Sequence, residues 1–220
     1  MKLDFSILTK NADAIAHGFG VTIGTWLAGT LIAIALGLLI AVVQLYCGRQ
    51  VTRLLRAYIE IIRGTPFLIQ LFLLYYGGPS IGISLDPIAA GTLGLGVYGS
   101  AYFAEIFRGG FRSIPKGHLE AAVCLGMTRW QMIYRIKLPQ MLVIIVPALV
   151  NMIIVLSKET AVLSVITVPE LTGVLTGIGT ASFAFIEILL VLCAGYLALV
   201  ELTSHIGQWV ERRVGRFMLR

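Results

Sequence analysis

A stretch of 28 residues from Phe19 to Tyr46 contains no charged side chain. A helix needs about 20 mostly apolar residues to cross the hydrocarbon core of a bilayer, so this stretch alone predicts a transmembrane helix. The whole chain agrees, because only 13% of its 220 residues are charged and 58% are hydrophobic. A soluble domain carries about 25% charged residues. The sequence therefore predicts an all-α polytopic membrane protein.

Apolar segments of spanning length recur along the chain and predict five transmembrane helices. The predicted spans cover residues 19–46, 53–76, 88–107, 139–157 and 182–209. Residues 160–180 are also apolar, but a proline and three glycines interrupt them, which favours a short helix and loop. Residues 1–18 predict an interfacial segment outside the membrane, followed by a transmembrane domain at 19–213 and a tail at 214–220.

Basic residues concentrate on one side of the predicted membrane. Residues 47–56, 108–138 and 210–220 hold 13 of the 17 lysines and arginines. Cytoplasmic loops are enriched in basic residues, so we predict an outside N-terminus and a cytoplasmic C-terminus. The formal net charge of +6 is then explained by topology, and no nucleic-acid partner is predicted.

Two groups of small residues at helical spacing predict places where helices approach closely. Gly20 and Gly24 form one pair, and Gly96, Ser100 and Ala104 form a stripe in the third span. We interpret both as packing positions within one subunit, with a seam between subunits as the alternative.

The longest predicted cytoplasmic loop, residues 113–138, reads as two short helices joined by a turn. Its first helix is predicted from His118 to Leu125, after Pro115 in the first turn. This helix has an apolar side that either docks on a soluble partner or lies flat on the lipid headgroups. Periodicity does not choose between the two.

The turn between these helices has its own sequence signals. Gly126 is placed to end the first helix in a left-handed conformation. Thr128 and Gln131 predict a capping box at the start of the second helix. Pro139 is expected to restart the chain into the fourth span.

Part of this loop resembles a family motif. Glu120-Ala121-Ala122, then Gly126, then Ile136-x-Leu138-Pro139 are similar to the EAA loop of binding-protein-dependent ABC importer permeases. The resemblance implies the type I importer permease fold, with five transmembrane helices and a coupling helix seated in a cleft of a cytoplasmic ATPase. The coupling residues that it implies are Glu120, Ala121, Ala122, Leu125 and Gly126.

Other motifs resemble the polar amino acid uptake group, which includes permeases of the histidine and glutamine type. They are Ile62–Pro66 with Gln70, Ala104–Gly109 with Ile114–Gly117, and Lys158–Thr160 with Leu163–Ile166. The resemblance covers about Gly18 to Arg213 and implies a bacterial inner-membrane permease. It implies ATP-driven alternating access that carries a polar amino acid, or an amino-acid-like solute, into the cytoplasm. His118 and Glu159 depart from the commoner residues, which leaves the substrate open.

The resemblance also implies partners. No phosphate-binding G-x-x-x-x-G-K-[ST] loop occurs in the sequence, so we expect no enzymatic activity and no cofactor on this chain. ATP and Mg²⁺ are expected on a separate ATPase. The implied assembly contains a second permease subunit, identical or related, two ATPase subunits and an extracytoplasmic solute-binding protein. A secondary transporter without an ATPase is the alternative. It is suggested by a short sequence similarity between residues 58–64 and 103–109, since such transporters often contain internal repeats.

Polar residues within the predicted spans are candidates for a substrate path. Glu60 and Arg63 lie three residues apart in the second span, and Glu105 and Arg108 repeat this spacing in the third. A charge inside a membrane costs at least about 2.5–3.5 kcal/mol, so each should face protein or water. Ion pairing near the cytoplasmic ends and a place in the path both remain open. The candidate path residues are Glu60, Arg63, Thr65, Gln70, Asn151 and Lys158.

Overall fold

The computed structural model describes residues Ser6–Gly215, which are mostly helical and contain no strand, as the all-α prediction requires. The α-helices are α1 (Ser6–Lys10), α2 (Ala12–Tyr46), α3 (Arg49–Gly64), α4 (Phe67–Phe72), α5 (Pro87–Arg112), α6 (Lys116–Cys124), α7 (Arg129–Met132), α8 (Leu138–Glu159), α9 (Leu171–Ser182) and α10 (Phe185–Gly215). Short π-helical and 3-10 turns extend α4 and α8. Residues 1–5 of the predicted interfacial segment and 216–220 of the predicted tail lie outside the described residues.

Three helical runs are long and apolar enough to cross a membrane: α2, the run from Arg129 to Ile166, and α10. The bent pair of α3 and α4 makes a fourth if it is counted as one span. α5 has 26 residues, or about 39 Å at 1.5 Å per residue, which suffices for a crossing. The count of five spans therefore stays a prediction. α2 begins at Ala12, so this helix starts within the predicted interfacial segment.

The predicted second span, residues 53–76, is broken. α3 and the helix that starts with α4 meet at 108°. Pro66 has no N–H to donate, and its ring pushes the preceding Thr65 into an extended conformation with φ −119° and ψ 144°. The segment predicted as the second span therefore consists of two helices that join at this proline.

α2 and α5 form the central helix pair, and small residues let their backbones approach. A methyl group added at Gly96 would lie 2.5 Å from Ile32 Cγ2, and one added at Gly99 would lie 2.7 Å from Ala33 Cβ. The predicted stripe of Gly96, Ser100 and Ala104 is therefore confirmed as packing within the subunit. For Gly20 and Gly24 the prediction of packing within the subunit is wrong, because their added methyl groups would meet no atom within 4 Å in the described structure. A seam between subunits at these two glycines stays a prediction.

The expected restart at Pro139 is also wrong. α7 continues into α8 through a π-helical turn over Ile133–Lys137, so one helical run extends from Arg129 to Ile166. A proline removes a backbone donor and clashes with the carbonyl four residues earlier. The wider π turn directly before Pro139 accommodates that missing bond without breaking the helix. The 160–180 region is a 3-10 segment followed by α9, as predicted.

Candidate functional site

The coupling-type loop has the local structure that its sequence predicts. α6 ends at Cys124, and Gly126 follows with φ +69°, in the left-handed region. The Met127 N–H then donates to the Ala122 carbonyl at 3.1 Å, which closes the turn. Only glycine adopts this backbone conformation without steric cost. The predicted helix end at Gly126 is therefore confirmed.

The helix that follows starts with the predicted capping box. The Gln131 N–H donates to Thr128 Oγ1 at 3.3 Å, and the Thr128 N–H donates to Gln131 Oε1 at 2.8 Å. These two bonds satisfy donors that a helix start leaves free. They fix the direction in which the chain leaves the turn after α6.

α6 presents an exposed apolar edge. Val123 and Leu125 are 61% and 80% exposed, whereas Ala122 is buried. Glu120 and Ala121 are also exposed, so the polar part of the motif lies on the open surface. A cavity of about 590 Å³ adjoins this edge and is lined by Tyr46, Leu119, Glu120, Val123, Cys124, Arg129, Met132, Ile133 and Lys137. The loop thus presents an exposed apolar edge and an adjoining cavity as a binding surface for another molecule.

The charged residues of α3 and α5 differ in whether they are bonded to each other. Arg108 Nε donates to Glu105 Oε1 at 2.8 Å, so the predicted ion pair exists in α5. Among residues 6–215, Glu60 and Arg63 form no such pair. The Arg63 guanidinium instead lies 5.3 Å from the ring centroid of Tyr102. Glu60 and Arg63 are both exposed.

Thr65 and Gln70 are bonded to each other at the break between α3 and α4. Gln70 Nε2 donates to Thr65 Oγ1 at 2.8 Å and to the Ile62 carbonyl, also at 2.8 Å. The Thr65 hydroxyl donates to the Ile61 carbonyl. These bonds satisfy the carbonyls that Pro66 leaves free. Both side chains therefore have a structural role that their sequence positions did not reveal.

The end of α8 places its polar residues on different faces. Asn151 and Lys158 are exposed, while Glu159 is half-buried and lies within electrostatic range of Tyr98. Tyr98 and Tyr102 are in ring contact, with centroids 5.0 Å apart. This tyrosine pair was not predicted from the sequence, although its spacing of four residues on the helix of Glu105 was a usable signal.

A second polar site that the sequence analysis missed lies before α9. Glu170 is completely buried, and its carboxylate accepts the N–H groups of Thr172 at 2.8 Å and Gly173 at 2.7 Å. The Tyr196 hydroxyl also donates to it at 3.1 Å. Burial raises the pKa of the Glu170 carboxyl, and these hydrogen bonds oppose the shift. The carboxylate caps α9 and joins it to α10.

No group of three or more His, Cys, Asp or Glu residues with metal-site geometry occurs in the described range 6–215.

The family match and the most similar curated proteins both indicate a membrane component of a transport system. Residues 33–216 match the family described as binding-protein-dependent transport system inner membrane component. The chain is 32% identical to the arginine transport system permease protein of Bacillus subtilis (strain 168), over 97% of this chain and 98% of that one. It is 31% identical to the glutamine transport system permease protein of Escherichia coli (strain K12), over 97% and 99% of the two chains.

Solved structures share the fold. A crystal structure of an amino acid ABC transporter with histidines has a TM-score of 0.90 and 33% identity, over 97% of this chain and 100% of that chain. An inward-facing structure of the MetNI methionine ABC transporter has a TM-score of 0.77 at 20% identity, over 93% and 98% of the two chains. The second likeness concerns the fold alone.

Proposed function

Because this chain belongs to the family of binding-protein-dependent transport system inner membrane components and is an amino acid ABC transporter permease, we propose that it imports a polar amino acid or amino-acid-like solute. Import is driven by ATP hydrolysis on a separate subunit. The N-terminus lies outside the bacterial inner membrane and the C-terminus in the cytoplasm, with the basic loops on the cytoplasmic side.

The observation that best supports this proposal is the exposed apolar edge of α6. Val123 and Leu125 project from a short helix whose end is fixed by Gly126. Exposed apolar side chains on a helix of this kind favour a groove on a protein partner. The partner is a cytoplasmic ATPase, and Glu120 orients the helix in its cleft. This long exposed loop has no role in a secondary transporter.

The mechanism is alternating access. ATP binding closes two ATPase subunits, which draws two coupling helices together and opens the path outward. Hydrolysis and product release reset the path toward the cytoplasm. Two permease subunits, identical or related, enclose the path, and an extracytoplasmic binding protein delivers the solute. The relatives named as arginine and glutamine permeases support an amino acid as that solute.

The path residues remain a proposal. Arg63, Glu60, Asn151 and Lys158 expose their side chains and are available to a solute. Thr65 and Gln70 are bonded to each other, so they contribute by holding the break in the helix open. Irregular backbone at such a break is tolerated where it lines a cavity.

Co-purification tests the ATPase partnership. The permease is expressed with candidate ATPase and binding-protein genes, and the wild type is compared with the double variant Glu120→Lys, Gly126→Val. Among the described residues, no side chain lies within 4 Å of a methyl group added at Gly126, so valine acts there through its backbone conformation rather than through a clash. We expect the ATPase to accompany the wild type and to be lost from the double variant.

Gly126→Asn is the matched control, because asparagine tolerates the left-handed conformation. It should retain the ATPase. If no protein with a phosphate-binding loop accompanies the wild type, the importer proposal fails and the secondary transporter becomes the better reading.

A further inference from the structure

A small polar cavity lies where the ends of three helices meet. α2 contributes Gln44 and Leu45 from its last turn, α3 contributes Thr52 and Arg56 from its first turns, and α5 contributes three charged residues from its last turns. The coupling loop follows directly after α5, so the cavity and this loop lie on the same side of the membrane. In the proposed orientation that side is the cytoplasmic one.

The cavity has an excess of positive charge. Its charged lining residues are three arginines and one glutamate, which leaves a net charge of +2. Arg108 bonds both carboxylate oxygens of Glu105, so these two charges compensate each other. Arg112 also lies within electrostatic range of Glu105, but this carboxylate has only one charge and Arg108 already binds it. Among residues 6–215, Arg56 and Arg112 form no ion pair and no hydrogen bond.

Gln44 supplies an independent observation at the same cavity. Its amide oxygen is buried and accepts no hydrogen bond from the described residues. A buried polar atom without a partner is costly, so the amide needs a partner within the cavity. A half-turn of the amide exchanges its oxygen and its NH₂ group, which lets Gln44 donate to a ligand that accepts hydrogen bonds.

The size of the cavity limits what can enter it. Its volume is about 30 Å³, whereas a water molecule needs about 10–15 Å³. Only about one or two oxygen atoms therefore fit, and most of a ligand must remain at the membrane surface. Phosphate oxygens suit this arrangement, because guanidinium groups bind them through pairs of parallel N–H donors.

The position of the cavity favours a lipid over a free phosphate ion. Leu45 lines the cavity and is exposed, so an apolar side chain borders the charged groups. The ends of spanning helices lie near the headgroups, where a lipid presents its phosphate next to its acyl chains. Basic pockets between transmembrane helices suit anionic headgroups. A zwitterionic headgroup would bring a further cation to a site that is already positive.

We propose that Arg56, Arg112 and Gln44 bind the phosphate group of an anionic phospholipid. The Thr52 hydroxyl lies 3.4 Å from the Cys47 carbonyl and 3.5 Å from the Gln44 carbonyl, so it links α3 to the end of α2 and supports the site. The bound lipid connects these two helices to α5, which leads into the coupling loop. The site does not depend on the transported solute, and only its assignment to the cytoplasmic leaflet rests on the proposed function.

Native mass spectrometry of the purified protein, with the subunits that accompany it, tests the site. The detergent micelles contain equal amounts of phosphatidylglycerol and phosphatidylcholine with the same acyl chains, and bound lipid is measured as total lipid increases. The test variant is Arg56→Gln, Arg112→Gln. The matched control is Arg49→Gln, Arg53→Gln, because it removes two exposed arginines of α3 that do not line the cavity.

We expect the wild type to bind phosphatidylglycerol at least about tenfold more tightly than phosphatidylcholine at one site. The Arg56→Gln, Arg112→Gln variant should lose this preference, and the control should keep it. An excess of inorganic phosphate should not displace the lipid.

Gln44→Glu tests the convergence of the cavity residues in a second way. It preserves the shape of the side chain and places a carboxylate beside the unpaired arginines. This carboxylate should replace the lipid phosphate, so the preference for phosphatidylglycerol should disappear while the unfolding midpoint in detergent rises. A lower midpoint with unchanged lipid preference would contradict the proposed site.

Two further results would overturn the proposal. If the preference persists in the Arg56→Gln, Arg112→Gln variant or falls equally in the control, the lipid binds elsewhere or responds only to general surface charge. If inorganic phosphate displaces the lipid, the ligand is a free ion. The measurement needs no ATPase, so failure of the lipid site leaves the proposed transport function intact. Absence of a co-purifying ATPase would in turn leave the lipid site intact.

Discussion

An alanine at Gly37 should destabilise the subunit by forcing α2 and α5 apart. A methyl group there would lie 2.6 Å from Phe103 Cβ, 2.9 Å from the Ala104 nitrogen and 2.9 Å from the Ser100 oxygen. Two of these three atoms belong to the backbone, so no side-chain rotation relieves the contact. Ordinary contact would require the helices to move apart by about 0.5–1 Å, which weakens dispersion contacts along the shared face. Overpacking typically costs about 1–3 kcal/mol, and we expect the upper end here.

Gly24→Ala makes the same chemical change in the same helix, where the added methyl group meets no described atom within 4 Å. It should change stability by less than about 0.5 kcal/mol, or raise it slightly through helix propensity. Thermal unfolding of the purified complex in nanodiscs measures both variants. If Gly37→Ala unfolds at the same temperature as Gly24→Ala, the two helices do not pack as described.

Two further changes test the polar contacts. Glu170→Gln should cost about 1–3 kcal/mol, because its amide cannot accept both N–H groups at the start of α9. Since burial raises the pKa of Glu170 above 4.5, the unfolded chain loses its proton first. Wild-type stability should therefore fall as pH rises from 4.5 through the raised pKa, and a pH series of unfolding midpoints should lack this fall in the variant. Thr128→Ala should cost about 1 kcal/mol and speed amide exchange at Gln131 roughly fivefold, whereas unchanged exchange would contradict the capping box.

The sequence predicted best where one local signal sets the structure. The uncharged run in α2 can satisfy its backbone in a bilayer only as a helix, and Gly126 and Thr128 fix their turns through their own backbone and side chain. Prediction failed where the role of a residue depends on which part of the fold packs against it. Gly24 and Gly37 look alike in sequence, but only Gly37 faces α5.

The polar sites show the same limit. Glu170 lies in an apolar stretch, and its role depends on Tyr196, which is 26 residues away in the chain. Gln70 has the residue type expected of a substrate donor, but the bend at Pro66 turns it back onto the Ile62 carbonyl. Residue type indicated which side chains are polar in the membrane. The tertiary contacts determine which of them are still free to bind a solute.

α5 connects the two functional parts of the chain. Only three residues separate its end at Arg112 from α6, and one of them, Ile114, is buried in the core. α5 packs closely against α2 and α8. On the side of α8, a methyl group added at Gly110 would lie 2.3 Å from Ile145 Cγ2. Such close packing resists bending, so we expect a shift of α6 to move α5 as a rigid element.

The tyrosine pair lies on that same rigid helix, whereas Arg63 lies on α3, just before the break at Pro66. Tyr58 is the polar link between α3 and α5, through its 2.7 Å bond to Ser100. A break between helices absorbs backbone rotation at low cost, while the packed pair of α2 and α5 does not. Movement of the coupling helix should therefore change the distance from Arg63 to Tyr102 more than any distance within α5.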